Sequence, residues 1–156
     1  MSERGGHTLC TARTHPVHTT GTAIAIAMAA SSAAADALDV FEARCLIPMI
    51  EVRDSDVGGL TRIPHRAAWE SWVPEGGAWE LRRALPGAEV QYCAIHGPLG
   101  AGVDAWIEGA VASGDYIAVD RVPETLRSTF LREPVIEVEI DREAPSLTVI
   151  ETDLES

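Results

Sequence analysis

Lysine is absent from this sequence of 156 residues, so all twelve basic residues are arginines. Without lysine the chain cannot contain the glycine-rich loop and phosphate-binding lysine that define P-loop nucleotide-binding proteins. Acidic residues number 24, and the formal net charge is −12. Nonspecific binding to nucleic acids or anionic membranes requires a basic surface, so this charge argues against both kinds of partner.

Cysteine is scarce as well, and no hydrophobic run is long. Cys10, Cys45 and Cys93 are odd in number and widely spaced, so the sequence predicts no disulfide framework and favours a reducing compartment. No segment reaches the ~20 apolar residues of a membrane-spanning helix. We therefore expect a protein of the cytoplasm or of a virion.

The segment Thr22–Ala30 has two interpretations. It is apolar, Arg4 and Arg13 precede it, and Ala33–Ala35 follows it like the small residues of a signal-peptide cleavage site. However, the run is rich in alanine, and the polar segment that precedes it is long for a signal peptide. We therefore interpret it as the start of a helix in the mature protein.

The composition predicts one domain. Hydrophobic residues make up 46% and charged residues 23%, as in ordinary globular proteins. Residues 1–21 are polar and lack periodicity, which indicates an N-terminal arm. Residues 22–156 would then form a single globular domain that begins with an alanine-rich helix over 22–46, ended by Pro48.

Three tryptophans lie within eleven residues, although aromatic residues make up only 5% of the chain. Trp69 and Trp72 have the spacing of one helix face, and Trp79 falls in a second short helix predicted for Ala78–Leu85. Such a cluster is typical either of a small hydrophobic core or of a protein interface. We retain Trp69, Trp72 and Trp79 as interface candidates.

The second half of the chain predicts alternating strands and helices. The sequence indicates an α/β or α+β single domain, with a mixed β-sheet, packed helices and a C-terminal antiparallel hairpin. The predicted elements are strand Val90–Ile95, helix Asp104–Ser113, strand Tyr116–Val119, helix Pro123–Leu131, and the hairpin strands Val135–Ile140 and Leu147–Thr152.

A glycine-rich loop follows the first of these strands and opens a helix. Gly97, Gly100 and Gly102 would let a phosphate approach backbone N–H groups, and Asp120 ends the next strand, where a ribose-binding acid would lie. The stretch of about thirty residues from Val90 to Asp120 resembles the dinucleotide-binding unit of the Rossmann class. Its glycines have the Gly-x-x-Gly spacing of short-chain dehydrogenases. That resemblance implies nucleotide binding, but the family's Tyr-x-x-x-Lys pair cannot exist in a chain without lysine. Hydride transfer of that kind is therefore excluded.

A metal site is a further candidate. His7, Cys10, His15 and His18 fall within twelve residues, and zinc binds four ligands of these types. The spacing matches no zinc finger, and the alternative is a polar arm that happens to contain histidine. We expect no resident cofactor, with zinc or a nucleotide as the less favoured cases.

Catalytic residues are not assigned. His96 ends a strand, and Cys93, Asp104 and Asp120 lie nearby in sequence, but they form no complete catalytic motif. We therefore expect a non-catalytic structural or assembly protein, a subunit of an oligomer or particle such as a phage or virus component. Its partners would be protein subunits, with neither nucleic acid nor membrane. A small nucleotide- or phosphate-binding protein is the alternative.

Overall fold

The computed structural model describes residues 36–64, 69–131 and 134–152. The predicted N-terminal arm, its boundary at residue 21 and the residues 22–35 lie outside the described residues. The strands are β1 Thr61–Ile63, β2 Trp69–Val73, β3 Glu80–Ala84, β4 Tyr92–His96, β5 Tyr116–Val119, β6 Glu124–Ser128, β7 Val135–Asp141 and β8 Ser146–Thr152. The helical elements are α1 Ala37–Phe41, a π-helical turn Glu42–Leu46, α2 Ile47–Ile50 and α3 Gly102–Ala112.

The eight strands form one sheet in the order β1-β2-β3-β4-β8-β7-β6-β5. Every neighbouring pair is antiparallel, so the predicted α/β or α+β fold with a mixed sheet and packed helices is wrong, and the described residues form mainly a β-sheet fold. Strands β1–β4 and β5–β8 are two meanders, and the pairing of β4 with β8 joins them into one sheet. The predicted C-terminal hairpin is confirmed as β7 and β8.

Three predicted helices are strands in the structure. The segment of Trp69 and Trp72 forms β2, most of Ala78–Leu85 forms β3, and Pro123–Leu131 contains β6. Each has residues or spacing that favour a helix, but each pairs with a strand on both sides. Backbone pairing and burial in a sheet outweigh helix propensities, which differ by less than ~1 kcal/mol per ordinary residue.

The helical stretch over 37–50 also differs from the prediction. Asp36 begins it as the N-cap, because its carboxylate accepts a hydrogen bond from the Leu38 N–H at 3.2 Å. Pro48 does not end the stretch, which continues to Ile50. The turn before Pro48 is π-helical, with the Ile47 N–H donating to the Glu42 carbonyl.

One face of the sheet packs against the helical stretch. Its core contains Phe41 of α1, Leu81 of β3, Ile95 of β4, Val138 of β7 and Leu147 of β8, each at most 1% exposed. At ~25 cal/mol per Å² of apolar surface, fully burying one such side chain contributes about 1.5–3 kcal/mol. α3 joins this layer where Trp106 Nε1 donates to Glu42 Oε1 at 2.8 Å.

Cys45 and Cys93 form a disulfide across this core, with Cα atoms 5.3 Å apart. The bond links the π-helical turn to β4, and the two residues are 0% and 1% exposed. The prediction of unpaired cysteines is therefore wrong for this pair. Spacing along the chain gave no signal, because 48 positions separate two residues that the helix–sheet packing brings together.

Candidate functional site

The glycine loop Gly97–Gly102 turns the chain from β4 into α3. Gly97 donates its N–H to the Pro145 carbonyl at 3.0 Å, and a Cβ at Gly97 would lie 2.9 Å from the Cβ of Trp79. Glycine is therefore required at this position by close packing. Its N–H already has a partner within the protein.

Gly100 lies directly against the Asp36 carboxylate. A Cβ at Gly100 would approach the carboxylate atoms of Asp36 to 2.1–2.4 Å, whereas a Cβ at Gly102 would meet only Leu38 Cδ2 at 3.6 Å. The position where a phosphate would approach the loop thus has a negatively charged neighbour. The observed packing explains Gly100 without a ligand, and nucleotide binding stays a prediction.

Asp120 follows β5, which is not a neighbour of β4 in the sheet. β4 and β5 run parallel, but β8, β7 and β6 separate them in the strand order, so they are not neighbours in the sheet. In a Rossmann unit the two strands would be close neighbours. The adjacent strands on which the predicted grouping of Asp120 with Gly97, Gly100 and Gly102 depends are therefore absent from the described sheet.

A pocket of about 310 Å³ opens beside the glycine loop. Trp79, Leu99 and Pro98 supply apolar walls, and Asp36 is the charged group in its lining. An acidic, otherwise apolar lining does not match an anionic ligand. No arginine of the described residues contributes to this lining.

The tryptophans do not share one surface. Because Trp69 and Trp72 are in a strand, their odd spacing sends them to opposite faces of the sheet. Trp72 is 6% exposed on the helix side, whereas Trp69 lies on the other side and Trp79 packs beside Gly97. The prediction that Trp69 and Trp72 share a helix face is wrong, and an interface role for the three residues stays a prediction.

Two neighbouring arginines follow the same alternation. The Arg82 guanidinium lies 5.5 Å from the Trp69 ring, and that of Arg83 lies 4.7 Å from the Trp72 ring. Arg83 also donates to Glu70 at 3.1 and 3.2 Å. Stacking of this kind stabilises by about 0.5–2 kcal/mol. One arginine therefore lies on each face of the β2–β3 pair, so the two do not form one basic patch.

The sheet face opposite the helices is polar, and we call it the polar face. Four of its residues form a row across β3, β4, β8 and β7. In the strand register Glu80 lies opposite His96, His96 opposite Ser146, and Ser146 opposite Asp141. The Cys93 and Ile95 side chains lie on the helix side, so strand alternation places His96 on the polar face.

Arg82 contacts Glu80 on this face and changes the pKa values of Glu80 and His96. It donates to both carboxylate oxygens of Glu80, at 2.8 and 3.0 Å, and this contact lowers the pKa of Glu80 to about 2. Burial lowers the pKa of His96, and Arg82 lowers it further, although Glu80 and Asp141 act in the opposite direction. His96 is therefore neutral at pH 7 beside an ionised carboxylate.

A second polar group surrounds Glu137 on the same face. Its side chain is only 2% exposed, yet Arg121 donates to Oε2 at 2.8 Å and Arg127 to Oε1 at 2.6 and 2.8 Å. The two arginines explain why this carboxylate can be buried. Burial raises the pKa of the neighbouring Glu139, and the charge of Glu137 adds to this effect.

A further pocket of about 290 Å³ lies at the ends of β3, β4 and β8 that are opposite to Glu80, His96 and Ser146. Arg53, Arg83, Tyr92 and Glu151 line it together with Val52, whose φ of 52° is unusual for a β-branched residue. Arg53 is already paired with Glu51. The lining carries both signs of charge, so it does not select an anion or a cation.

The free edge of β5 has a different character, and we call it the β5 edge. Tyr116–Val119 contains no charged residue, and in the described ranges it pairs on one side only, with β6. Ile117 on this strand is 51% exposed, and Val122 and Phe130 nearby are 96% and 45% exposed. Tyr116 is buried between Trp106 and Phe130, which raises its pKa to about 12 and anchors the strand.

The proposed zinc ligands His7, Cys10, His15 and His18 lie outside the described residues. Among residues 36–64, 69–131 and 134–152, no cluster of three or more His, Cys, Asp or Glu side chains is arranged to hold a metal ion. In the same ranges no helix has both the length and the apolar character needed to cross a membrane.

No known protein family, curated protein or solved structure matches this chain.

Proposed function

We propose that this chain is a non-catalytic assembly subunit that binds its neighbour through the β5 edge. The observation that carries the proposal is that, among the described strands, β5 pairs on one side only and carries no charged side chain. Natural sheets block exposed edges with very short strands, charges, prolines, bulges or covering segments, because a free edge pairs with strands of other chains. β5 is short, with four residues, but it has none of the sequence features that block pairing. Tyr116–Val119 has neither a charge nor a proline, and its exposed Ile117 would be buried by an added strand.

The backbone directions along β5 support strand addition. Thr129 N–H donates to the Asp115 carbonyl at 2.8 Å, so residue 115 directs its backbone groups toward β6. By alternation Ile117 and Val119 do the same, and Tyr116 and Ala118 direct their N–H and C=O groups outward. A partner strand would form its hydrogen bonds to Tyr116 and Ala118, and its side chains would contact Ile117.

The proposed partner is a protein subunit, with a second copy of this chain as the first case to test. Two antiparallel edge strands are self-complementary about a two-fold axis, which is the commonest symmetry of oligomers. A larger particle built from unlike subunits is the broader form of the same proposal. A location in the cytoplasm or a virion stays a prediction, and the disulfide removes the cysteine argument that supported it.

Sedimentation velocity of the purified protein tests the proposal. Ala118→Pro removes one outward N–H without removing a bond to β6, and prolines are tolerated at such edge positions. Ala118→Val is the matched control because it keeps the N–H. We expect a defined oligomer for the wild type and Ala118→Val, and a monomer for Ala118→Pro.

A second variant guards against a folding defect in Ala118→Pro. Ile117→Arg places a charge on the same edge through a side chain that is half exposed. It should also give a monomer with unchanged thermal unfolding. A wild type that is monomeric at tens of micromolar, or an oligomer that survives both changes, contradicts self-assembly through β5.

A further inference from the structure

The disulfide between Cys45 and Cys93 is a core element of the fold. Both residues are buried, and they connect the helical layer to a central strand. Stable disulfides of this kind form in oxidising compartments such as the periplasm or the extracellular space, and they are rare in reducing cytosol. The Cys45–Cys93 bond therefore favours folding in an oxidising compartment.

The third cysteine fits this interpretation. Cys10 precedes the described residues, and removal of the segment that contains it would leave two cysteines, which are the two that are paired. An unpaired cysteine in an oxidising compartment promotes intermolecular disulfides. An even, fully paired set is what an exported chain requires.

Charge divides the chain at the same place. Residues 1–35 contain two arginines and a single acidic residue, whereas the remaining residues contain ten arginines and 23 acidic residues. The apolar run Thr22–Ala30 follows the two arginines, and Ser31–Ala35 consists only of Ser and Ala. This order of a basic segment, an apolar core and small residues in an Ala-x-Ala pattern is that of a secretion signal. Together with the disulfide, it favours a signal over the start of a mature helix for Thr22–Ala30, despite the long polar segment before it.

Asp36 is the first residue after that pattern and is the N-cap of α1. Its carboxylate accepts the Leu38 N–H and lies against Gly100. A cut between Ala35 and Asp36 therefore keeps the helix cap with the helix that it stabilises.

We infer that residues 1–35 direct export and are removed by hydrolysis of the Ala35–Asp36 peptide bond. Water adds its hydroxyl to the Ala35 carbonyl, and the Asp36 nitrogen leaves as a free α-amine. After export, the Cys45 and Cys93 thiols lose two protons and two electrons to a dithiol oxidase of the compartment, and this reaction forms the disulfide. The inference is independent of the proposed assembly role.

Expression of the full chain with a C-terminal tag in a bacterial host tests the cleavage. Intact-mass and N-terminal analysis of the extracytoplasmic fraction should show a product that begins at Asp36. Ala33→Phe and Ala35→Phe change the two positions at which signal peptidases require small residues, so each should block processing at this bond. Ala34→Phe changes the residue between them and should be processed like the wild type.

The cysteine state gives an independent readout. Without prior reduction, the exported product should take up no thiol-alkylating reagent, and after reduction in denaturant it should take up two equivalents. A product in the cytoplasm that retains residues 1–35 overturns the inference, even if its disulfide has formed. Equal processing of Ala33→Phe, Ala34→Phe and Ala35→Phe also overturns the assigned bond.

Discussion

The Arg127 guanidinium on β6 donates two hydrogen bonds to Oε1 of Glu137 on β7, at 2.6 and 2.8 Å, although the Glu137 side chain is 2% exposed. Removal of one partner of a buried pair leaves an uncompensated charge, at a cost of about 3–5 kcal/mol. Arg121 still contacts the same carboxylate. Arg127 is itself 33% exposed, so we expect Arg127→Ala to lose about 1.5–3 kcal/mol of unfolding free energy, the range for hydrogen bonds to charged groups, measured by urea denaturation.

The control for that variant is Arg142→Ala. Arg142 pairs with Asp104 and Glu124, all three side chains are at least 44% exposed, and such pairs contribute about 0–1 kcal/mol. Equal losses for the two variants would show that the Glu137 cluster has no special role in stability.

Loss of the disulfide should destabilise the fold strongly. The bond closes a loop whose ends are 48 positions apart, and the chain-entropy estimate for such a loop is about 4 kcal/mol. We expect the double variant Cys45→Ala/Cys93→Ala to lose 2–5 kcal/mol in denaturant unfolding. Addition of a reductant should destabilise the wild type and leave the double variant unchanged. Unfolding midpoints that agree for the oxidised wild type and the double variant would refute this structural role.

Gly100 and Gly102 give a matched pair for the glycine loop. A Cβ at Gly100 collides with the Asp36 carboxylate, so Gly100→Ala should displace the α1 cap and cost about 1–2 kcal/mol. Gly102→Ala has room and lies in α3, where alanine favours the helix, so we expect no loss of stability. Thermal unfolding of both variants measures the difference. Similar melting temperatures would contradict the observed packing of Asp36 on Gly100.

The polar face should contribute a pH dependence through His96. Its folded pKa lies below the ordinary 6.5 because burial and Arg82 disfavour the charged imidazole. The unfolded chain therefore binds the proton first, and stability should fall as the pH decreases from 6.5 toward the folded pKa. The free energy of unfolding is measured against pH for the wild type and for His96→Gln. The variant should lack this decrease. The opposite slope would mean that Glu80 and Asp141 outweigh burial.

A separate acidic window belongs to Glu80. Its folded pKa of about 2 lies below its ordinary 4.5, so it stabilises the fold above pH 4.5 and loses this effect as the pH falls toward 2. Unfolding of Glu80→Gln should lack that part of the acid transition. An unchanged transition would show that the Arg82 contact does not persist in solution.

The sequence predicted those elements in which local pattern and tertiary environment agree. Tyr116–Val119 is apolar and β-forming, and β7 and β8 alternate, so their pairing was foreseen. β3 has the sequence Glu-Leu-Arg-Arg-Ala, whose residues favour a helix. It is a strand because β2 and β4 pair with it on both sides. Such pairing depends on distant residues and is not visible in local composition.

The sites follow the same logic. The glycine loop was located correctly at the start of α3, but its interpretation required β4 and β5 to be close neighbours, and sheet order is a property of the whole chain. The Glu137 cluster was missed because Arg121 comes from a loop and Arg127 from a strand that was predicted as a helix. The Cys45–Cys93 pair required knowledge of which helix covers β4.

Amide hydrogen exchange at Ala118 and Tyr116 tests the assembly proposal most directly. Their N–H groups point away from β6, and none of the described strands accepts them. We predict that both amides are protected at concentrations where the protein is oligomeric, and that protection disappears on dilution to monomer. Fast exchange at both positions in a sample that remains oligomeric would contradict assembly through the β5 edge.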